Sequence, residues 1–193
     1  MTFTLPKKRL TIVSMSKMTY PNIVLIGFMG TGKSAVADYL SVELGFPIID
    51  IDQVISNLEK KSIVDIFATH GEAYFRDVES RILSQLTIEK NTIISCGGGI
   101  VMTTGNIEKL KEIGFVVLLT ASPRTVLRRV EENDERPLLT DRMNIGFVTE
   151  LMEQRREHYR RAADIVIDTD DKSVSQVGDE LLEQMRRKRY HVK

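Results

Sequence analysis

Short apolar runs alternate along this chain with longer stretches whose apolar residues return every three or four positions. Asn22-Ile23-Val24-Leu25-Ile26 is short, β-branched and unbroken, which predicts a buried strand. Behind it Val36, Leu40 and Leu44 fall on one side of a helix. Phe46-Pro47-Ile48-Ile49-Asp50 predicts a second strand ending in an acid. Ser62, with Asp65 three residues on, predicts the N-cap of a helix through Ile66 and Phe67. A longer helix follows Gly71, with Val78, Ile82 and Leu86 turned inward. Residues 92–96 predict a third strand that runs into Gly97-Gly98-Gly99. Phe115-Val116-Val117-Leu118-Leu119 predicts a fourth, its unbroken apolar character suiting a central parallel strand. Ser122-Pro123 caps the next helix with proline at its first position. Ile165-Val166-Ile167 is the fifth strand, and a helix carrying Val174, Val177, Leu181 and Met185 closes the domain.

Strands separated by helices imply right-handed crossovers and a parallel sheet. Ligands of such sheets collect beyond the carboxyl ends of the strands. That rule puts the segment after the first strand, the acids after the second and the glycines after the third on one rim. Residues 131–146, reading EENDERPLLTDRMNIG, lack apolar period and carry Pro137, so they are read as a mobile lid. Residues 1–20 are read as a disordered N-terminal extension, with Met15 and Met18 as alternative starts, and 21–193 as one domain.

Composition narrows the function classes. The chain has 193 residues, 42% apolar and 28% charged, ordinary values for a soluble globular domain. Its 27 basic residues balance 27 acidic ones, so nothing global points to nucleic acid or membrane, and any binding charge must be local. The basic run Arg186-Arg187-Lys188-Arg189 suits a solvated helix end. A single cysteine, Cys96, precludes an internal disulfide, and no apolar run reaches the ~18 residues of a membrane span. The expected location is cytoplasmic.

The chemistry is concentrated in Gly27-Phe28-Met29-Gly30-Thr31-Gly32-Lys33-Ser34, a match to G-x-x-x-x-G-K-[ST] between a strand and a helix. In such a loop successive backbone N–H groups and the helix N-terminus face phosphate oxygens. Lys33 then bridges the β- and γ-phosphates and Ser34 ligates Mg²⁺, so the chain binds a nucleoside triphosphate. Asp50 and Asp52 stand at the carboxyl end of the second strand, where alternation sends both carboxylates to one side, toward Mg²⁺ and an acceptor hydroxyl; acids complementing a helix N-terminus are the alternative. Arg76 and Arg155 are candidates to grip a carboxylate by paired N–H···O bonds. The triple glycine lets backbone approach a ligand closely, and Arg136 in the lid can reach the γ-phosphate on closure. His70, His158 and His191 have no metal-ligand spacing.

Together these motifs resemble the shikimate kinase family over about 23–168. GFMGTGKS resembles its Walker A loop, IDID its Asp-x-Asp, and Val64-Asp65-Ile66-Phe67 with Gly71-Glu72 and Phe75-Arg76 its acid-binding helices. SCGGGIV resembles its glycine-rich Walker B replacement, RPLL its lid, and Arg155 to Arg160 its last substrate-binding stretch. The resemblance implies a P-loop kinase fold: three-layer α/β/α with a five-stranded parallel sheet in the order 2-3-1-4-5. It implies that Asp52, Arg76, Gly98 and Arg155 hold shikimate, and that Met29, Gly30, Thr31, Gly32, Lys33 and Ser34 wrap the phosphates of ATP. Ser34 would hold Mg²⁺ with Asp50 near it through water, Arg129 would lie over adenine, and Arg136 would reach the phosphates. Lys172 and Val174 stand where the family has an arginine and a proline beside adenine. Asp52, Lys33 and Arg136 form the implied catalytic set, with shikimate and Mg-ATP as partners and a monomer as the expected state. Another small-molecule P-loop kinase, of the gluconate or nucleoside-monophosphate type, is the nearest alternative. A GTP switch is disfavoured because no Asn-Lys-x-Asp segment is present. An idle nucleotide-binding module is disfavoured because Lys33, Asp52 and Arg136 all remain.

Overall fold

Strands β1 (Ile23–Ile26), β2 (Ile48–Asp50), β3 (Ile93–Ser95), β4 (Phe115–Thr120) and β5 (Ile165–Asp168) run parallel in the order β2-β3-β1-β4-β5. This is the five-stranded arrangement that the resemblance implied. The computed structural model describes residues 21–86, 88–132 and 144–191; residues 1–20 and 133–143, Arg136 and most of the expected lid among them, lie outside the described residues. Helices α1 (Lys33–Leu44), α2 (Ile51–Glu59), α3 (Ile63–Gln85), α4 (Asn106–Ile113), α5 (Pro123–Glu131), α6 (Ile145–Ala162) and α7 (Val174–His191) flank the sheet, with a 3₁₀ turn at Ile100–Met102. No helix among the described residues is long and apolar enough to cross a membrane.

Both faces of the sheet are covered, which is why its strands read as continuous apolar runs. Alternation along β1 sends Ile23 and Leu25 to one face, where they meet Val36 and Leu40 of α1 and Val177 and Leu181 of α7. Val24 and Ile26 go to the other, against Ile55 of α2, Ile66 and Val78 of α3, Leu110 of α4 and Ala162 of α6. Register holds the layers together: Val24 stands beside Ile94 on one side and Val116 on the other. The chain leaves β1 toward α1 on the first face and leaves β3 toward the 3₁₀ turn and α4 on the second. Neighbouring strands whose exits diverge open a crevice between them, and β1 and β3 are such a pair.

Three local details depart from the sequence reading. Pro47 has no N–H to give the ladder, so β2 begins at Ile48, although the Pro47 carbonyl still accepts the Ile93 N–H at 2.9 Å. The chain then passes from Asp50 into α2 with no intervening loop. Asp52 is therefore in the first turn of a helix, and strand alternation is not what aims it. Val174, at the start of α7, is 41% exposed, while Val177, Leu181 and Met185 are buried as expected. The break expected at Gly71 is real: α3 kinks there, with φ 79° and ψ 173°.

Candidate active site

The loop from Gly27 to Gly32 turns out of β1 into α1, and its glycines take the positive φ angles that such a turn demands. Gly32 is the N-cap of α1 and offers no side-chain cap, and no acid sits in the first turn. By contrast α2, α3, α5 and α6 are capped by Asp50, Ser62, Ser122 and Asn144. No side chain caps the start of α1, and the positive end of the helix dipole there suits an anion. Lys33 Nζ donates to the carbonyls of Gly27 and Phe28, both at 2.9 Å, which lays the ammonium across the loop. Thr31 is buried and its hydroxyl closes the turn on Phe28 O at 2.8 Å.

This loop forms one wall of a cleft of about 700 Å³. Met29, Gly30, Gly32, Lys33 and Ser34 line it together with Asp50, Asp52, Gly98 and Arg129. Asp50 and Asp52 do face the same space, for a helical reason. Asp50 Oδ1 caps α2 by accepting the Gln53 N–H at 3.0 Å, and Asp52 follows in the first turn. Arg129 Nη1 donates to Gly30 O at 3.2 Å and to Thr169 Oγ1 at 2.9 Å. Lys172 is not on the lining; its Nζ lies 2.7 Å from Glu180.

Behind the lining, Gly97-Gly98-Gly99 is the point where the remaining candidates meet. A Cβ on Gly97 would lie 2.6 Å from Asp52 Oδ1 and 2.9 Å from Glu79 Oε1. One on Gly99 would overlap the Arg76 guanidinium. Only bare backbone fits between these groups, so the glycines bring charged side chains into contact with the β3 rim. From α6, Arg155 donates to Gly98 O at 3.2 Å, and the Tyr159 hydroxyl donates to the same carbonyl. Arg155 also stacks over the Phe28 ring at 5.6 Å, which ties the arginine to the phosphate loop.

Glu79 is fully buried and its Oε2 lies 2.8 Å from Arg76 Nη1. Burial pushes its carboxyl up to about 7, aided by Asp52 and opposed by Arg76 and Arg155. Arg76 is held on its other edge by Glu72, at 3.3 Å from Nε and 3.1 Å from Nη2. Its charge survives burial because these two carboxylates favour it. Tyr159, pushed up to about 12 by burial, stays a hydroxyl and a donor. Cys96 on the same floor is also pushed up by burial and remains a thiol. Two guanidinium groups, the buried Glu79 and the half-buried Asp52 beside a phosphate loop suit a small ligand carrying both a carboxylate and hydroxyls.

A model of the shikimate kinase family matches residues 29–186. The chain belongs to that family. A shikimate kinase from Persephonella marina is 44% identical over 86% of this chain and 99% of its own length. One from Bacillus mycoides is 41% identical over 83% of this chain and 95% of its own. Among solved structures, the shikimate kinase from Acinetobacter baumannii in complex with shikimate superimposes with a TM-score of 0.82 at 32% identity, covering 88% of this chain and 95% of that one. Family membership makes the chain a kinase with the P-loop kinase fold and settles the choice against a gluconate-type enzyme.

Glu79 was not singled out from sequence, and Glu72 and Tyr159 entered only inside matched motifs with no role of their own, although each belongs to this site. Glu79 left a signal: it sits on the inward stripe with Phe75, Val78, Ile82 and Leu83, where an acid needs a reason. Arg76, three residues before it, is that reason. Tyr159 lies one helical turn after Arg155, on the same face of α6.

Proposed function

We propose that this chain transfers the γ-phosphoryl group of Mg-ATP to the 3-hydroxyl of shikimate. The observation that carries this reading is the convergence of Asp52, Glu79 and Arg76 on the triple glycine, next to an uncapped helix N-terminus and Lys33. In this reading Met29 to Ser34 wrap the phosphates, and Arg76 and Arg155 hold the shikimate carboxylate beside Gly98. Asp52 orients the hydroxyl and takes its proton as the oxygen bonds to phosphorus and the bond to ADP breaks. Lys33, together with Arg136 from outside the described residues, balances the charge that spreads over the phosphoryl oxygens.

Hard oxygen donors suit Mg²⁺, and the Ser34 hydroxyl and the Asp50 carboxylate are such donors at the cleft wall. Among the described residues no three His, Cys, Asp or Glu side chains gather into a metal cage. Ser34 and Asp50 would hold the cation, which would supply charge neutralisation there. Arg129 and Lys172 belong to the adenine end, the latter through the loop that Glu180 steadies.

ATP turnover with and without acceptor tests the reading. ADP release should depend on shikimate, and gluconate or a nucleoside monophosphate should not replace it. Release that is equal with and without shikimate would overturn the assignment.

A further inference from the structure

The loop after β5 is tied to the phosphate loop through one side chain. Arg129 Nη1 donates to Thr169 Oγ1 at 2.9 Å and to Gly30 O at 3.2 Å, while its Nη2 donates to Thr169 O at 2.9 Å. Thr169 is buried, and its hydroxyl gives its one proton to Thr120 O at 2.9 Å. Its lone pairs are therefore left for the guanidinium, and the polarity of the contact is fixed. A bond from a charged donor to a buried acceptor is the stronger kind. Gly30 rests directly on α5, since a Cβ there would stand 3.2 Å from Val126 O and Val130 Cγ2. Asp170, the next residue, accepts the Ser122 N–H at 2.9 Å and fixes the same loop to the start of α5.

We propose that Thr169 is a positioning residue for the nucleotide: it forks Arg129 against Gly30 and so sets the spacing between the phosphate loop and the loop after β5. Thr169 acts through the guanidinium and the Gly30 carbonyl and touches no reacting atom. The proposal deepens the nucleotide half of the function given above and rests on it.

ADP binding, measured by calorimetry with no acceptor present, reads this directly. Thr169→Val keeps the side-chain size and removes both hydroxyl bonds, so the Kd for ADP should rise about tenfold. Thr169→Ser should bring it back to within about twofold of wild type. In an Arg129→Lys background the fork is already lost, and adding Thr169→Val should then change the Kd by less than about twofold. A merely structural threonine would lower Tm without this coupling. An unchanged Kd in Thr169→Val, losses that add in the double variant, or a serine that fails to rescue would each overturn the proposal. If Thr169→Val does not fold, Thr169→Ala against Thr169→Ser decides it on the same criteria. A wild-type chain that binds no ADP overturns the nucleotide reading itself, and the role of Thr169 with it.

Discussion

A carboxylate removed from water stays charged only when a cation compensates it, and Glu79 has Arg76 at 2.8 Å yet still titrates near 7. Desolvation, with Asp52 adding to it, outweighs the attraction of the two arginines. The folded protein therefore holds this proton more tightly than the unfolded chain does. The stabilisation is complete below the ordinary value of 4.5 and is lost as the pH rises to about 7. Urea unfolding across that window should show Glu79→Gln, which cannot titrate, gaining on wild type as the pH rises. Parallel pH profiles for the two proteins would place the titration elsewhere. Asp52 plays a different part, since it stands against the Gly97 backbone and faces the cleft. Asp52→Asn should reduce turnover by about a hundredfold or more while leaving ADP affinity nearly unchanged. Turnover within a few-fold of wild type would remove Asp52 from the chemistry.

At the scale of elements, helix termini decide what the site can hold. α1 starts at Gly32, which brings no capping side chain, so its positive end suits an anion, whereas α2 is capped by Asp50. This explains what was legible in the sequence and what was not. The phosphate loop and the break at Gly71 are marked by glycines at points where the backbone must turn, and both were readable. The junction of β2 and α2 carries no glycine, so Asp50-Ile51-Asp52 looks like a strand running on when Asp50 is in fact an N-cap. Glu79 was masked by its apolar neighbours on α3, because periodicity reports which face is buried and not which acid is paired there. The kink itself can be tested. Gly71 sits at φ 79° and ψ 173°, a region that residues with a Cβ avoid, while the space around it is open. Gly71→Ala should therefore cost about 1–3 kcal/mol in urea unfolding through backbone strain alone. It should also weaken shikimate binding, since Arg76 is carried by the second half of α3. Undiminished stability would mean that the kink can be relaxed without loss.

The whole molecule joins two half-sites across one sheet. On one face α1 and α7 pack over a core that includes Leu25, Val117 and Ile167; on the other α2, α3, α4 and α6 enclose Val24, Ile94 and Val116. The phosphate loop leads into the first half and the groups proposed to bind the acid lie in the second, and they meet where β1 and β3 part. With 27 basic and 27 acidic residues, no global field draws ligands in, so affinity must come from these local contacts. A ligand bound only to the folded state stabilises both halves by mass action. ADP at a hundred times its Kd should add ~2.7 kcal/mol and raise Tm by about 5–10 °C. Lys33→Ala should lose most of that gain at the same ADP concentration, because Lys33 spans the Gly27 and Phe28 carbonyls at the loop where phosphate is expected. Shikimate added with ADP should raise Tm further, and more than shikimate alone, since Arg155 contacts both Gly98 and Phe28 and so couples the acid side to the loop. If the two ligands' shifts merely add, or if Lys33→Ala keeps the full ADP shift, the two halves do not communicate by this route.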